Sequence, residues 1–321
     1  MKKLLALLVA LTLVFALATV ASAEDYPTKN ISVICPWSAG GGTDACLRAF
    51  SAALEKQLGV TLTVDNQDQG GGVIGHQAIA VADPDGYTFG MITFELSTYA
   101  KLGTSQITWR DYDALCRVNT DAAAVTVNAA WAAANGITDL ATFIDYCKAH
   151  PGEVQMGGSA NASVWHIAGG YLMTATDIDF QMIAYQEGAN AAARDAAGGF
   201  INGVTVSLAE VRSFLESGHL VCLGVMDTQR NPAFPDVPTC VEQGFDVTYF
   251  TQRGLALPKG VDPAIKEKLE AACAAAIEDP DFVTFMNNGG QTIAYMNAAD
   301  YEAFLEQSEI DVAAAMDSLG L

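Results

Sequence analysis

A run of small and polar residues follows the first strand pattern of the chain and leads into a helix. Residues 31–35 are mostly apolar, Pro36 interrupts them, and residues 38–44 read Ser-Ala-Gly-Gly-Gly-Thr-Asp. The next apolar residues recur at helical spacing. Glycines allow backbone N–H groups to approach a ligand, and the unpaired N–H groups of a helix start carry partial positive charge. This pattern favours an anion site, but it also suits a tight turn capped by Thr43 or Asp44.

A second run of the same kind lies near the middle of the chain. Residues 153–156 read as a strand, residues 157–163 read Gly-Gly-Ser-Ala-Asn-Ala-Ser, and a helix begins near Val164. This loop lacks the second glycine of the G-x-S-x-G nucleophile elbow, so it does not predict a serine hydrolase. A second helix-start anion site is the better interpretation.

The sequence contains no motif for most other kinds of chemistry. The four histidines are scattered, no His/Cys/carboxylate spacing is typical of a metal site, and no P-loop is present. We therefore expect no metal and no cofactor. One alternative stays open: Gly70-Gly-Gly-Val-Ile-Gly75 fits G-x-G-x-x-G, with Glu95 twenty residues on. The helix after this motif is short for a dinucleotide fold, because Asp83-Pro84 ends it.

Two charged residues occur where apolar strands are predicted. Glu95 closes a strand at 87–93, on the same sheet edge as the 38–44 loop if the two strands are parallel. Arg253 lies inside an apolar extended run and is either a ligand clamp or a salt-bridge partner.

The elements that must position these residues alternate between strand and helix. Residues 31–93 predict βαβαβ, and residues 123–226 repeat the alternation, which indicates an α/β fold with a parallel or mixed sheet. Residues 94–121 are less regular. The tail is predicted to be helical at 262–278, 281–287 and 298–319, with Asp279-Pro280 between the first two helices.

Composition limits the partners. The chain has 321 residues, 51% of them hydrophobic, and a formal net charge of −21. Such a charge disfavours nucleic acid and anionic lipid, although a local backbone site can still hold a small anion. Seven widely spaced cysteines do not form a disulfide scaffold; buried free thiols are expected, with one or more disulfides still possible.

The N-terminus predicts export. Lys2 and Lys3 precede an apolar run at 4–20, which ends in Ala21-Ser-Ala23. We expect a signal peptide at 1–23, cleaved after Ala23, and an extracytoplasmic protein, periplasmic or at the cell surface. An N-terminal membrane anchor is the alternative.

Six motifs in order resemble the substrate-binding proteins of tripartite tricarboxylate transporters, the Bug or TctC-like family. They cover essentially all of the mature chain. In order, they are residues 26–44, residues 64–67 with 70–75 and 82–88, residues 157–166, Tyr185 with Gly188, residues 234–239, and Arg253-Gly254 with Pro258.

The resemblance implies a two-domain type II periplasmic-binding-protein ("Venus flytrap") fold with the ligand in the interdomain cleft. One domain would comprise residues 24–121 plus 225–321, and the other residues 122–224. The resemblance further implies that both loops hold a carboxylate. The ligand-binding residues that we expect are Trp37, Ser38, Ala39, Gly41, Thr43, Asp44, Glu95, Gly158, Ser159, Asn161, Ser163, Tyr185 and Arg253.

The implied function is transport without covalent chemistry. The protein would capture a di- or tricarboxylate, an aromatic acid or an amino acid and deliver it to integral-membrane permease subunits. Glu95 and Asp121 are further expected to meet a cationic group, so that the ligand would carry an amine beside its carboxylate. A receptor that feeds a sensor system is an alternative that the sequence does not separate from transport.

Overall fold

The computed structural model describes residues 26–318. The predicted signal peptide at 1–23 lies outside the described residues. No helix within the described range is long and apolar enough to cross a membrane.

Eleven strands and eleven α-helices make up the described chain. The strands are β1 (Ile31–Cys35), β2 (Leu62–Asn66), β3 (Thr88–Thr93), β4 (Tyr112–Ala122), β5 (Ala124–Asn128), β6 (Gln155–Gly157), β7 (Gln181–Ile183), β8 (Gly203–Val204), β9 (Leu220–Val225), β10 (Phe250–Pro258) and β11 (Thr292–Asn297). The helices are α1 (Gly42–Leu58), α2 (Val73–Ala80), α3 (Tyr99–Leu102), α4 (Ala129–Ala134), α5 (Leu140–Ala149), α6 (Val164–Thr176), α7 (Ala189–Ala197), α8 (Leu208–Glu216), α9 (Pro263–Ala276), α10 (Pro280–Gly289) and α11 (Ala298–Ser318).

The strands form two mixed sheets. The first has the order β11-β4-β10-β3-β1-β2, and the second has the order β7-β6-β8-β5-β9. In the first sheet β1 pairs in parallel with β2 and with β3, whereas β10 runs antiparallel to β3 and β4. The predicted placement of Glu95 and the 38–44 loop at one sheet edge is therefore confirmed, because both follow the carboxyl ends of parallel strands.

The chain passes between the two sheets twice. Ala123 separates β4 from β5, and residues 226–249 lead from β9 back to β10. The backbone of Tyr249 joins the two passages, since its carbonyl accepts from Ala123 and its N–H donates to Met226. The predicted domain boundaries at 121/122 and 224/225 stay a prediction.

The helix after the first loop forms as its apolar spacing predicts. Leu47, Phe50 and Leu54 of α1 are fully buried against the first sheet, and each contributes about 1.5–3 kcal/mol of transfer free energy. Gly59 ends the helix with φ 72°, a conformation that glycine adopts without a Cβ penalty.

Two strands were not predicted. β4 lies centrally in the first sheet although Arg117, Asn119 and Asp121 interrupt its apolar pattern. Asn119 and Asp121 serve the site described below, so their polarity is functional rather than a sign of a loop. β11 is a partly buried edge strand without strong alternation. The seven cysteines are all free, and six of them are buried.

Candidate ligand-binding site

A cavity of about 50 Å³ lies where the starts of three helices meet. Residues at the beginnings of α1, α6 and α7 line it, so both sheets contribute walls. Helix starts offer unpaired N–H donors and partial positive charge, so this cavity suits an anionic group.

The start of α1 is open. Gly41 is its N-cap and no side chain caps it. The N–H groups of Gly42, Thr43 and Asp44 have no acceptor among residues 26–318. The predicted cap at Thr43 or Asp44 is therefore absent, although the loop does make a tight turn, in which the Gly41 N–H donates to the Ser38 carbonyl. These free donors are the groups that a ligand carboxylate can bind.

Arg253 lies beside this helix start and is almost fully buried. Its Nε donates to Thr43 Oγ1 at 2.9 Å, and its Nη1 donates to Asp121 at 2.5 Å and to Asn119 at 3.3 Å. Burial opposes the charge of the guanidinium, but the carboxylates of Asp121 and Glu210 outweigh burial and raise the pKa of Arg253. The arginine is therefore held charged and fixed in place. The salt-bridge interpretation is confirmed, and the ligand-clamp interpretation stays a prediction.

Gly42 permits this close approach. A Cβ built on Gly42 would lie 3.0 Å from Arg253 Nη2 and 3.4 Å from a carboxyl oxygen of Glu210. Any larger residue would therefore displace the arginine or the glutamate from the helix start.

The start of α6 already meets a carboxylate of the protein. Glu95 is 3% exposed; its Oε1 accepts from Val164 N–H at 3.3 Å and its Oε2 from the hydroxyl of Thr93 at 2.5 Å. Burial raises the pKa of Glu95, against the opposing effect of these two donors. The positive end of α6 is therefore partly compensated before any ligand arrives.

Glu210 is a second carboxyl group in the cavity wall. It lies in the first turn of α8, where it closes a capping box with Ser207. Burial raises its pKa, and Asp121 adds to this rise whereas Arg253 opposes it. Together with Glu95, it gives the cavity two buried acidic groups beside one arginine that is already paired.

Two hydrogen bonds join the 38–44 loop to the residues around the start of α7, across the cleft. Ser38 Oγ donates to the Glu187 carbonyl at 3.2 Å, and Asn190 Nδ2 donates to the Gly40 carbonyl at 2.9 Å. These contacts hold the 38–44 loop against the start of α7, which explains why the cavity is small.

The structure brings seven of the thirteen predicted site residues to the cavity: Trp37, Ser38, Gly41, Thr43, Glu95, Ser159 and Arg253. Six do not line it: Ala39, Asp44, Gly158, Asn161, Ser163 and Tyr185.

Each of these six has another environment. Ala39 is exposed, and a Cβ on Gly158 would lie 2.9 Å from the backbone nitrogen of His166 in α6. Asp44 binds the Gly40 N–H and Arg48, which lower its pKa although burial opposes them.

The two serine hydroxyl groups of the second loop form a hydrogen bond with each other. Ser163 Oγ lies 2.5 Å from Ser159 Oγ, and Ser163 and Asn161 line an adjoining cavity instead. Tyr185 donates its hydroxyl to Asp195.

Several lining residues escaped the sequence analysis. They are Gly42, Thr93, Val164, Trp165, Glu187, Gly188, Ala189, Asn190, Glu210 and Thr251. The Ser207-x-x-Glu210 capping box was a readable signal for α8, but only the fold brings it beside Arg253.

In the 70–75 motif, Gly70, Gly71 and Gly72 have the positive φ values of a turn, and Gly75 permits close packing. A Cβ on Gly75 would lie 2.6 Å from Pro36 Cα and from the Gln67 carbonyl, so α2 packs directly on the turn after β1. The helix itself has eight residues.

Two mixed α/β sheets, two passages between them and a cleft lined from both sides define a periplasmic-binding-protein fold, as the sequence predicted. The chain belongs to the tripartite tricarboxylate transporter family of receptors, TctC, whose family model matches residues 46–321. Both the predicted fold class and the predicted family are confirmed.

Three known proteins illustrate the similarity. Protein BugT of Bordetella pertussis is 30% identical over 271 residues, 83% of this chain and 81% of that protein. A TctC solute binding protein from Polaromonas, solved without ligand, is 32% identical with a TM-score of 0.70, over 91% of this chain and 99% of that one. The R. palustris protein Rpa4515, solved with adipate, has the same fold, with a TM-score of 0.85 at 22% identity, over 92% of this chain and 99% of that one.

Proposed function

We propose that this chain is an extracytoplasmic receptor that captures a small carboxylate in the cleft and delivers it unchanged to a tripartite-type membrane permease. The observation that carries the proposal is the open start of α1, with three unpaired N–H groups and the fixed charge of Arg253 beside it. Backbone donors at a helix start and a guanidinium are both suited to a carboxylate. Membership of a transporter receptor family supports the same function.

The arrangement favours binding over catalysis. Ser159, the hydroxyl of the second loop that lines the cavity, lies against Ser163 rather than against a base. A serine nucleophile needs such a base for activation. We therefore infer that the ligand leaves the cleft chemically unchanged.

The far end of the ligand should donate hydrogen bonds or carry positive charge. Glu95 and Glu210 line the cavity, whereas Arg253 is the cation of the described lining. We do not assign Asp121 to a ligand amine, because it does not line this cavity and its carboxylate is engaged by Arg253 and by the Thr292 N–H. Glu95 keeps this role and Glu210 joins it, so we infer a ligand that carries an ammonium or hydroxyl group beside its carboxylate.

A thermal-shift screen tests both parts of the proposal. The panel contains succinate, adipate, citrate, benzoate, aspartate and glutamate, and titration calorimetry follows each hit. We expect carboxylates to raise the Tm and the amino acids to do so most. If plain dicarboxylates alone stabilise the protein, the inferred ammonium or hydroxyl group of the ligand is contradicted. If no compound of the panel binds, carboxylate capture itself is contradicted. Ligand-dependent binding to the reconstituted permease then tests delivery.

A further inference from the structure

Strand β10 separates two cavities. Thr251 and Arg253 line the cleft cavity, whereas Phe250 and Gln252 line a second cavity of about 270 Å³ on the opposite face of the strand. Successive side chains of a strand point to opposite faces, so the two cavities lie back to back.

Aromatic rings dominate the second cavity. Tyr249 lies between Phe94, at 6.0 Å between ring centroids, and Tyr171, at 5.8 Å. Phe304 of α11 adds another ring. The described lining contains no lysine, arginine or histidine, so this cavity does not suit the carboxylates proposed for the cleft.

Two polar groups of the cavity wall are buried without a partner among residues 26–318. Gln252 is 1% exposed; its Oε1 accepts from the hydroxyl of Tyr301 at 2.6 Å, but its Nε2 has no acceptor. The hydroxyl of Tyr249 is also unpaired. Buried donors are normally satisfied, so each of these groups points to an acceptor that the described residues do not supply.

The volume of the cavity sets the size of the occupant. An engineered apolar cavity of about 150 Å³ binds benzene, and 270 Å³ exceeds that. A single substituted ring therefore fits, with space for one polar substituent.

We propose that this cavity is a second ligand site, for a neutral, single-ring aromatic molecule that carries a hydrogen-bond acceptor for Gln252 and Tyr249. Tyr171 belongs to α6 at the second sheet, whereas Gln252 belongs to the first sheet. The backbone of Tyr249 joins the two passages between the sheets. The cavity therefore lies where elements of both sheets meet.

Benzamide is the probe that tests the site, with toluene as the ring without an acceptor and benzoate as the anionic ring. Saturation-transfer NMR and calorimetry on the purified chain measure binding. We expect benzamide to bind more tightly than toluene by about tenfold, the difference that one hydrogen bond makes. Benzoate should bind more weakly than benzamide at this site.

Variants locate the bound probe. Ser308→Phe fills the cavity from α11 and should abolish benzamide binding, whereas Ser213→Phe, the same change on the exposed face of α8, should leave it unchanged. Gln252→Leu and Tyr249→Phe should each weaken the binding of benzamide but not the binding of toluene. Absence of benzamide binding to the unmodified chain, or equal binding to the Ser308→Phe chain, would overturn the proposal. Neither result bears on carboxylate binding in the cleft.

Discussion

The two small-residue loops that face the cleft end at helix starts with different occupants. At α1 the first three N–H groups are free and Arg253 lies alongside. At α6 the Val164 N–H already meets the carboxylate of Glu95, and the two serine hydroxyls of the loop contact each other. Equal sequence patterns therefore produce unequal sites, and we assign the ligand carboxylate to α1.

The difference arises from residues far away in sequence. Glu95 follows β3 and Arg253 lies in β10, and the pairing of these two strands brings each residue to one helix start. A helix start is a general anion site, and the charge that the fold brings to it decides whether a ligand or a side chain binds there. The predictions below test this asymmetry, from the largest effect to the smallest.

Removal of the arginine should have the largest effect. Arg253→Leu leaves Asp121 buried without its partner, so we expect the free energy of unfolding to fall by about 3–5 kcal/mol and carboxylate binding to be lost. Urea denaturation and calorimetry measure the two effects. The double variant Arg253→Leu/Asp121→Leu should recover most of the stability but not the binding. Unchanged carboxylate binding by the double variant would show that Arg253 does not contribute to the binding site.

Acid should destabilise the folded protein through His76, which contacts Thr93, the hydrogen-bond partner of Glu95. This histidine is fully buried, donates from Nδ1 to the Gly72 carbonyl and accepts the Thr93 N–H at Nε2, so it must be neutral. Burial lowers the pKa of His76 to about 4. A depressed folded-state pKa contributes stability that is present above the unfolded pKa of about 6.5 and is lost as the pH falls towards about 4.

The expected size of this acid effect is about 3 kcal/mol, at roughly 1.4 kcal/mol per pKa unit. Urea titrations at pH 7, 5.5 and 4.5 measure it. His76→Gln should reduce the pH dependence, whereas His150→Gln, at a half-buried helix end, should leave it unchanged. An unchanged pH profile for His76→Gln would contradict the assignment.

A methyl group at the start of α1 should weaken carboxylate binding without unfolding the protein. Gly42→Ala places its Cβ 3.0 Å from Arg253 Nη2, so the guanidinium must shift. We expect carboxylate affinity to fall by about tenfold, or 1.4 kcal/mol. Gly289→Ala, also in a helix but with its nearest atom 4.0 Å away, is the matched control. Equal calorimetric titrations for the two variants would show that the approach of Arg253 to α1 does not matter.

The smallest effect should come from the second loop. Ser159→Ala removes a hydroxyl that already contacts Ser163, so we expect carboxylate affinity to change by less than about threefold. Thr43→Val, which removes the acceptor of Arg253 Nε, should cost about tenfold. A larger loss of affinity for Ser159→Ala than for Thr43→Val would indicate that the ligand carboxylate binds at the start of α6 instead of α1.

Sequence reasoning predicted the α/β alternation, the two loops and the family, because these follow from local periodicity and from ordered motifs. It identified Glu95 and Arg253 as unusual, since charges within apolar strands stand out. It could not pair Arg253 with Asp121, because these residues meet only through the antiparallel register of β10 and β4. Strand β4 was not predicted for the same reason, because the hydrogen-bond partners of its polar residues lie across the sheet and not nearby in sequence.

Amide chemical shifts during a titration with carboxylate show which helix start binds the ligand. In ¹H–¹⁵N spectra of the labelled chain, titrated with the carboxylate that gives the largest thermal shift, we expect the largest perturbations at Gly42, Thr43 and Asp44. Val164 should move little, because its N–H already has Glu95 as a partner. Perturbations concentrated at 158–166, with residues 41–44 unmoved, would contradict the assignment of the ligand carboxylate to the start of α1.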